Sequence, residues 1–233
     1  MFLAEISDLY DFSFLLNESV IKDFLSGIAT TLEIALLGVL IGICFGLILA
    51  IGKLLGNKFI RAICTTYITL IRSTPLILQL YMIHYVTPFV YLALNDTSLI
   101  MSAFISSVIA VGLNSAAYVA EIFRSGILAV DKGQFEAAQS LGFNYTKTLR
   151  LIIVPQATKN IFPALVNELT SVTKETAIIS VVGAHDLMFY GNQMRAITMN
   201  PFTGLFVAGI CYFVVVYTLT KLTNVLERKL QND

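Results

Sequence analysis

The chain has 233 residues, 57% of them hydrophobic and 13% charged, with 15 basic and 15 acidic side chains. Soluble domains carry about 25% charged residues, so the composition excludes an ordinary water-soluble globule and points to a membrane. Zero net charge leaves no basic excess for nucleic acid and no acidic excess for a cationic partner.

Residues 1–27 carry Glu5, Asp8, Asp11, Glu18 and Asp23 with no basic lead, which reads as an amphipathic N-terminal segment rather than a cleaved signal. A spanning helix needs about 20 mainly apolar residues. Five stretches qualify: 28–51, 60–92 with a break near Thr74–Pro75, 99–120, 161–183 and 202–222. The first holds Gly38, Gly42, Gly46 and Ala50 at every fourth position, a small-residue stripe that lets two backbones approach. It serves either packing within the chain or a seam with a second subunit. In the second, Pro75 removes a backbone donor and disfavours helix at Thr74. Arg72 beside this break either lines a wet cavity or snorkels to the interface. The fourth stretch carries Asn167, Glu168, Thr170, Ser171, Thr173, Lys174, Glu175 and Thr176, a load no lipid-facing helix bears. Its polar face serves as an ion-pair lock between helices, as the lining of a substrate path, or as a gate that does both.

Basic residues set the orientation. Lys53, Lys58 and Arg61 follow the first span, and Arg124, Lys132, Lys147, Arg150 and Lys159 fill the loop before the fourth. Lys221, Arg228 and Lys229 follow the fifth, whereas the opposite side offers Lys22 and Arg195. The N-terminus is therefore expected outside, with the 124–159 loop and the 224–233 tail in the cytoplasm, around one transmembrane domain over 28–223. Cys44, Cys64 and Cys211 stand singly in apolar runs and read as buried thiols. His84 and His185 have no metal-ligand spacing, and no phosphate loop or catalytic constellation is present. An enzyme is a poor fit.

The cytoplasmic loop contains EAAQSLGFNYTKTLRLIIVP, 136–155. Gly133 is placed as an N-cap, Glu136 falls in the first turn where the helix dipole favours a carboxylate, and Ala137 and Ala138 keep the helix thin. Gly142 is the expected left-handed terminator. Asn144 or Thr146 caps a second helix, and Pro155 is expected to close it. Phe135, Leu141, Phe143 and Leu149 remain available for docking.

This pattern, Glu136-Ala137-Ala138, Gly142, Ile152, Val154-Pro155, resembles the coupling loop of ATP-binding cassette importer permeases, with Val154 where leucine is usual. The resemblance extends over nearly the whole chain to the polar amino-acid (histidine/glutamine-type) permeases: GIATTLEIA, YITLIRSTPLILQLY, AAYVAEIFRSGILAVDKGQFEAAQSLG and PQATKNIFPALVNELTSVTKETAIISVVGAHDLM all match, as does LERKL at 226–230. Thr69 stands where many members have glutamate, and Ala177 where serine is usual. The resemblance implies an all-α integral membrane fold of the type I importer class, without enzymatic activity of its own. It implies two ATPase subunits, a second permease subunit (a copy or a paralogue), an external amino-acid-binding protein, and the bacterial inner membrane. ATP and magnesium would sit on the ATPases and no cofactor on this chain. Glu136, Ala137, Ala138, Ser140, Leu141, Gly142 and Phe143 are the ATPase-coupling candidates; Arg72, Thr74, Gln79, Glu168, Ser171, Lys174 and Glu175 are the substrate-path candidates. The rival is an ion-coupled secondary transporter with Glu168, Lys174 and Glu175 as relay, whose relatives are commonly larger bundles built from repeats.

Overall fold

A computed structural model describes residues 12–232. After a 3-10 turn, Ser13–Leu16, comes α1 (Glu18–Leu55), started by Asn17, whose side chain accepts from the Ser19 N–H. Its 38 residues span about 57 Å at 1.5 Å per residue, more than the roughly 30 Å hydrocarbon core. The helix therefore begins ten residues before the expected span, inside the segment set apart as N-terminal; residues 1–11 lie outside the described part of that segment. Then follow α2 (Lys58–Arg72), α3 (Leu76–Tyr81), a π-helical turn (Met82–Val86), α4 (Thr87–Asn95) and α5 (Ala103–Leu128). The 124–159 loop contributes α6 (Lys132–Ser140), α7 (Tyr145–Thr148) and a second π turn (Leu149–Ile153). The chain finishes with α8 (Val154–Glu175), a 3-10 continuation (Thr176–Val182), α9 (Leu187–Thr198) and α10 (Thr203–Asn232). The last helix runs through the expected tail without a break. Among the described residues every regular element is helical.

Among the described residues four helical stretches are long and apolar enough to cross a membrane: α1, Leu76–Asn95, α5 and Thr203–Val225. The fourth expected span, carried by α8 and its 3-10 extension, is too polar to qualify, so its passage through the bundle must be shielded by protein or water.

The small-residue stripe of α1 packs within the chain. A Cβ added at Gly38 would lie 2.5 Å from a Val111 methyl, one at Gly42 2.7 Å from Ser115 Oγ, and one at Gly46 2.8 Å from a Val119 methyl. Helices α1 and α5 thus lie backbone against backbone along most of their contact. Around this pair Ile34, Ala35 and Val39 of α1 meet Leu80 of α3, Ala110 and Val111 of α5, Val172 of α8 and Ile179 of the 3-10 turn. Tyr67 ties α2 to the same axis by donating to the Leu113 carbonyl at 2.9 Å. Of the three thiols expected in the interior, Cys64 is buried, Cys211 half-buried and Cys44 exposed, because Cys44 falls on the face of α1 turned away from α5.

Pro155 does not close the second helix of the loop. The helix runs on through it: the Val154 N–H bonds the Leu149 carbonyl, a π register, and α8 continues. Pro88 is handled the same way, with the Thr87 N–H on the Met82 carbonyl. Each proline lacks an N–H and crowds the carbonyl four residues back. Widening the turn just before it removes the clash without ending the helix.

A second cluster joins Val20 and Phe24 of α1 to Leu187 and Met194 of α9 and Ala208 of α10. Its polar centre is Asp186, fully buried in the turn between the spans. One carboxylate oxygen caps α9 through the Phe189 N–H (2.8 Å); the other accepts from Tyr212 (3.1 Å). Burial pushes this carboxyl up to about 6, against about 3.9 for an unperturbed aspartate. Because the folded state holds the proton more tightly, the associated stability is complete below about pH 4 and is lost as pH rises through 6. Thermal unfolding in detergent should show a lower midpoint at pH 7 than at pH 4.5. Asp186→Asn, which keeps the capping oxygen, should flatten that slope by roughly 2–3 kcal/mol; an unchanged slope would assign the pH dependence elsewhere.

Candidate functional site

Two features stand out: a capped helix displayed at one end of the bundle, and a charged cleft within it. The first is α6. Its N-cap is Asp131 rather than Gly133: the aspartate side chain accepts from the Gly133 N–H at 2.7 Å. Asp131 can supply a side-chain oxygen to a free helix donor, which glycine cannot. The C-terminal end is a Schellman turn, with Phe143 N–H on the Ala138 carbonyl (3.1 Å) and Gly142 N–H on that of Gln139 (2.9 Å). Gly142 supplies the left-handed residue at φ +80°. Asn144 caps the next helix by accepting from the Lys147 N–H at 2.9 Å. Ala138 faces inward and is buried, whereas Glu136, Ala137, Ser140, Leu141, Gly142 and Phe143 are exposed; Leu141 is 77% so. Phe135 is turned onto Tyr145, ring centroids 5.4 Å apart, which braces the two short helices. Only three residues, 129–131, separate α6 from the long helix α5. A push on α6 therefore reaches α5 directly.

The second feature starts at the break between α2 and α3. Thr74 donates to the carbonyls of Leu70 (2.9 Å) and Ile71 (3.3 Å). Gln79 reaches back to donate to the Ile71 carbonyl (2.9 Å) and the Thr74 hydroxyl (2.9 Å), and its own carbonyl oxygen accepts from Asn114 of α5 at 3.0 Å. Thr74 and Gln79 thus satisfy the carbonyls that the proline break leaves open and pin the break to α5.

Arg72, the last residue of α2, extends over the Tyr118 ring of α5, 5.2 Å from its centroid. Tyr118 and Arg72 line two adjoining clefts. One of about 430 Å³ is bounded by Lys53, Ile68, Thr69, Arg72, Ser73, Tyr118 and Glu121. The other, about 300 Å³, reaches Glu168 of α8. Glu168 accepts from Ser115 at 2.8 Å and pairs with no cation among the described residues. Arg72 has no ion pair among them either. Among the described residues the ion-pair lock offered as one reading of the fourth stretch is therefore absent: Glu168, Lys174 and Glu175 enter no ion pair. Ser171 and Glu175 follow Glu168 at i+3 and i+7 and are exposed, and Lys174 is exposed beside Ser171 and Glu175, whereas Thr170 and Thr173 are buried and donate to carbonyls of their own helix.

Several cleft residues were not singled out from the sequence. Glu121 bridges Lys53 of α1, on one oxygen, and Arg124 at 2.7 Å on the other. Asn114, Tyr118, Glu121 and Ser125 recur at helical spacing along α5. That polar stripe in an otherwise apolar span is the signal that would have found them. Ser115 leaves no such trace, since its role depends on the neighbouring Gly42 and Glu168.

The model of one protein family, binding-protein-dependent transport system inner membrane component, matches residues 42–232. The chain belongs to this family. Among relatives, the putative glutamine transport system permease protein GlnP of Rickettsia felis is 39% identical, covering 88% of this chain and 91% of its own length. The arginine transport system permease protein ArtQ of Bacillus subtilis is 40% identical over 90% and 93% of the two chains. The crystal structure of an amino acid ABC transporter with histidines superimposes with a TM-score of 0.86 at 39% identity, covering 94% of this chain and 98% of that one. An inward-facing MetNI methionine ABC transporter shares the fold at 21% identity and a TM-score of 0.73. The architecture is thus the all-helical type I importer permease fold, and this inner membrane component is a transport subunit embedded in the membrane.

Proposed function

We propose that the chain is the permease subunit of an ATP-driven importer of polar amino acids, and that α6 is the handle by which a separate ATPase subunit moves it. The observation that carries this is the exposed, doubly capped α6, bearing Glu136-Ala137-Ala138 and joined by three residues to α5. Two ATPase subunits dock on two such helices, one from this chain and one from a second permease subunit. ATP and magnesium sit on the ATPases, so this chain binds no cofactor. An external binding protein delivers the substrate. The excess of basic residues on the α6 side supports a cytoplasmic position for α6 and the C-terminus in a bacterial cell, with the N-terminus outside.

A partner shifts the permease only by its difference in affinity for two states; taking a balance from 1:99 to 99:1 needs about 5.5 kcal/mol. A rigid capped helix transmits such a difference, and the short connection to α5 carries it to the clefts. There Arg72 meets the substrate carboxylate and Glu168 its ammonium group. Ser171, Lys174 and Glu175 continue the wetted face, and Thr74 and Gln79 hold the break that aims Arg72. The names of the relatives support amino acids as cargo. An ion-driven mechanism is not favoured, because the coupling handle has no role in it.

Glu136→Lys reverses the charge at an exposed position that makes no ion pair among the described residues. The variant should insert normally but retain less ATPase on co-purification and lose ATP-dependent uptake in proteoliposomes by at least about tenfold, the equivalent of 1.4 kcal/mol. Unchanged docking and uptake would sink the handle.

A further inference from the structure

The Lys53–Glu121–Arg124 cluster has no part in the handle, yet Glu121 lines both clefts and Lys53 the larger of them, with Arg124 bonded to Glu121 outside either lining. Both oxygens of Glu121 are taken: Lys53 holds one and Arg124 the other. Lys53 comes from the last turn of α1 and itself lines the larger cleft, facing Arg72 across it. The three groups together carry one surplus positive charge. With Arg72 and Glu168 added, the five groups are three cations and two anions, of which Arg124 acts through Glu121 rather than from a cleft wall. Glu168 is the one anion left without a cation among these five, and it has a single hydrogen bond, from Ser115.

We propose that this cluster makes the path selective by charge: it admits polar amino acids with neutral or acidic side chains and rejects those with a cationic side chain, with Lys53 as the discriminating residue. The proposal rests on the reading of the clefts as the substrate path. Every amino acid brings one carboxylate and one ammonium group, which Arg72 and Glu168 match. A neutral amide side chain then has the hydroxyls of Thr69, Ser73 and Ser125, all on the cleft walls, as partners. On the walls of the two clefts a guanidinium or second ammonium finds no free carboxylate, since Glu168 is taken by the substrate's own ammonium and Glu121 is doubly paired; displacing Lys53 leaves that lysine uncompensated in a partly buried setting. A unit charge held about 7 Å from the surplus charge costs roughly threefold to fiftyfold in affinity, depending on the local screening. An acidic side chain instead meets the surplus favourably.

The test is equilibrium binding of radiolabelled glutamine, glutamate and arginine to the assembled permease–ATPase complex in nanodiscs. The external receptor is omitted, so that its own selectivity is not measured. The wild-type complex should bind arginine at least about tenfold more weakly than glutamine. Lys53→Met frees one oxygen of Glu121 and removes the surplus charge, so the arginine-to-glutamine ratio should rise at least about threefold. Glu121→Gln should move the ratio the other way; it keeps the side-chain shape and guards against misreading a packing defect in Lys53→Met. Equal affinities in the wild type, or a ratio that neither variant moves, would overturn the charge filter while leaving the path in place. Glutamine, glutamate and arginine all failing to bind, or binding undiminished in Arg72→Leu, would overturn the path itself and the filter with it.

Discussion

Gly142→Val should detach the ATPase from an otherwise intact permease. Gly142 sits at φ +80°, where an L side chain with a branched β-carbon is strongly disfavoured; the left-handed conformation alone costs about 1–2 kcal/mol. Nothing lies within 4 Å of an added Cβ, so the penalty is carried by the backbone and not by crowding. It falls on a nine-residue helix, too short to hold itself together in water without its caps. Losing the Schellman turn releases the carbonyls of Ala138 and Gln139 and lets Leu141 and Phe143 leave their exposed positions. The α1–α5 core is untouched, so thermal stability in detergent should stay near that of the wild type. ATPase co-purification and ATP-dependent uptake should both fall by about tenfold or more. Gly142→Asn provides the contrast: asparagine visits the left-handed region and should keep most of the activity. Equal loss from both substitutions would show that the side chain, not the backbone, is at fault.

What was legible in the sequence follows from the range of the forces involved. The spans, the break at Thr74–Pro75 and the turn at Gly142 are set by local chemistry: lipid solubility, a missing backbone donor, a left-handed residue. The break and the turn appear where expected; four of the five expected spans have a counterpart long and apolar enough to cross among the described residues, α1 starting ten residues early and the polar fourth not qualifying. Expectations failed where a local rule was overridden from outside. Pro155 ends a helix in isolation, but packing of α8 into the bundle favours continuing it, and a π turn absorbs the ring. Gly133 was a reasonable start for α6 until Asp131 is seen to reach its N–H. Both amount to a shift of a residue or two, or a helix that does not stop, and neither moves the exposed face of α6.

The cleft is different in kind. Arg72 and Glu168 were conspicuous as charges within apolar stretches, but what they do depends on their neighbours across the bundle. Ser115 supports Glu168 from 53 positions away, and Lys53 meets Glu121 from 68. No spacing rule links such residues; only the pairing of α1 with α5 and of α5 with α8 brings them together. Gln79 and Thr74 illustrate the same limit. The sequence marks them as polar in a span, yet their hydrogen bonds close the helix break, next to which Arg72 ends α2.

The whole arrangement hangs on the close approach of α1 and α5, and Gly42→Leu should break it. A Cβ at position 42 would lie 2.7 Å from Ser115 Oγ and 3.2 Å from the Ser115 carbonyl carbon. The second neighbour is backbone, so the helices must separate. Overpacking of this kind costs typically 1–3 kcal/mol. In a bilayer no hydrophobic gain offsets it, because helix association there depends on packing itself. For a chain of this size each kcal/mol corresponds to about 2–4 °C in the unfolding midpoint, so a drop of roughly 2–12 °C is expected. Ser115 is also the hydroxyl that holds Glu168, so the surviving folded protein should bind glutamine more weakly. Gly209→Leu is the matched control, since nothing lies within 4 Å of its Cβ in α10 and the leucine there meets open surroundings. If both leucines lowered the midpoint equally, the loss would come from helix propensity or insertion, and the Gly38–Gly42–Gly46 stripe would have no special part in seating α5 against α1.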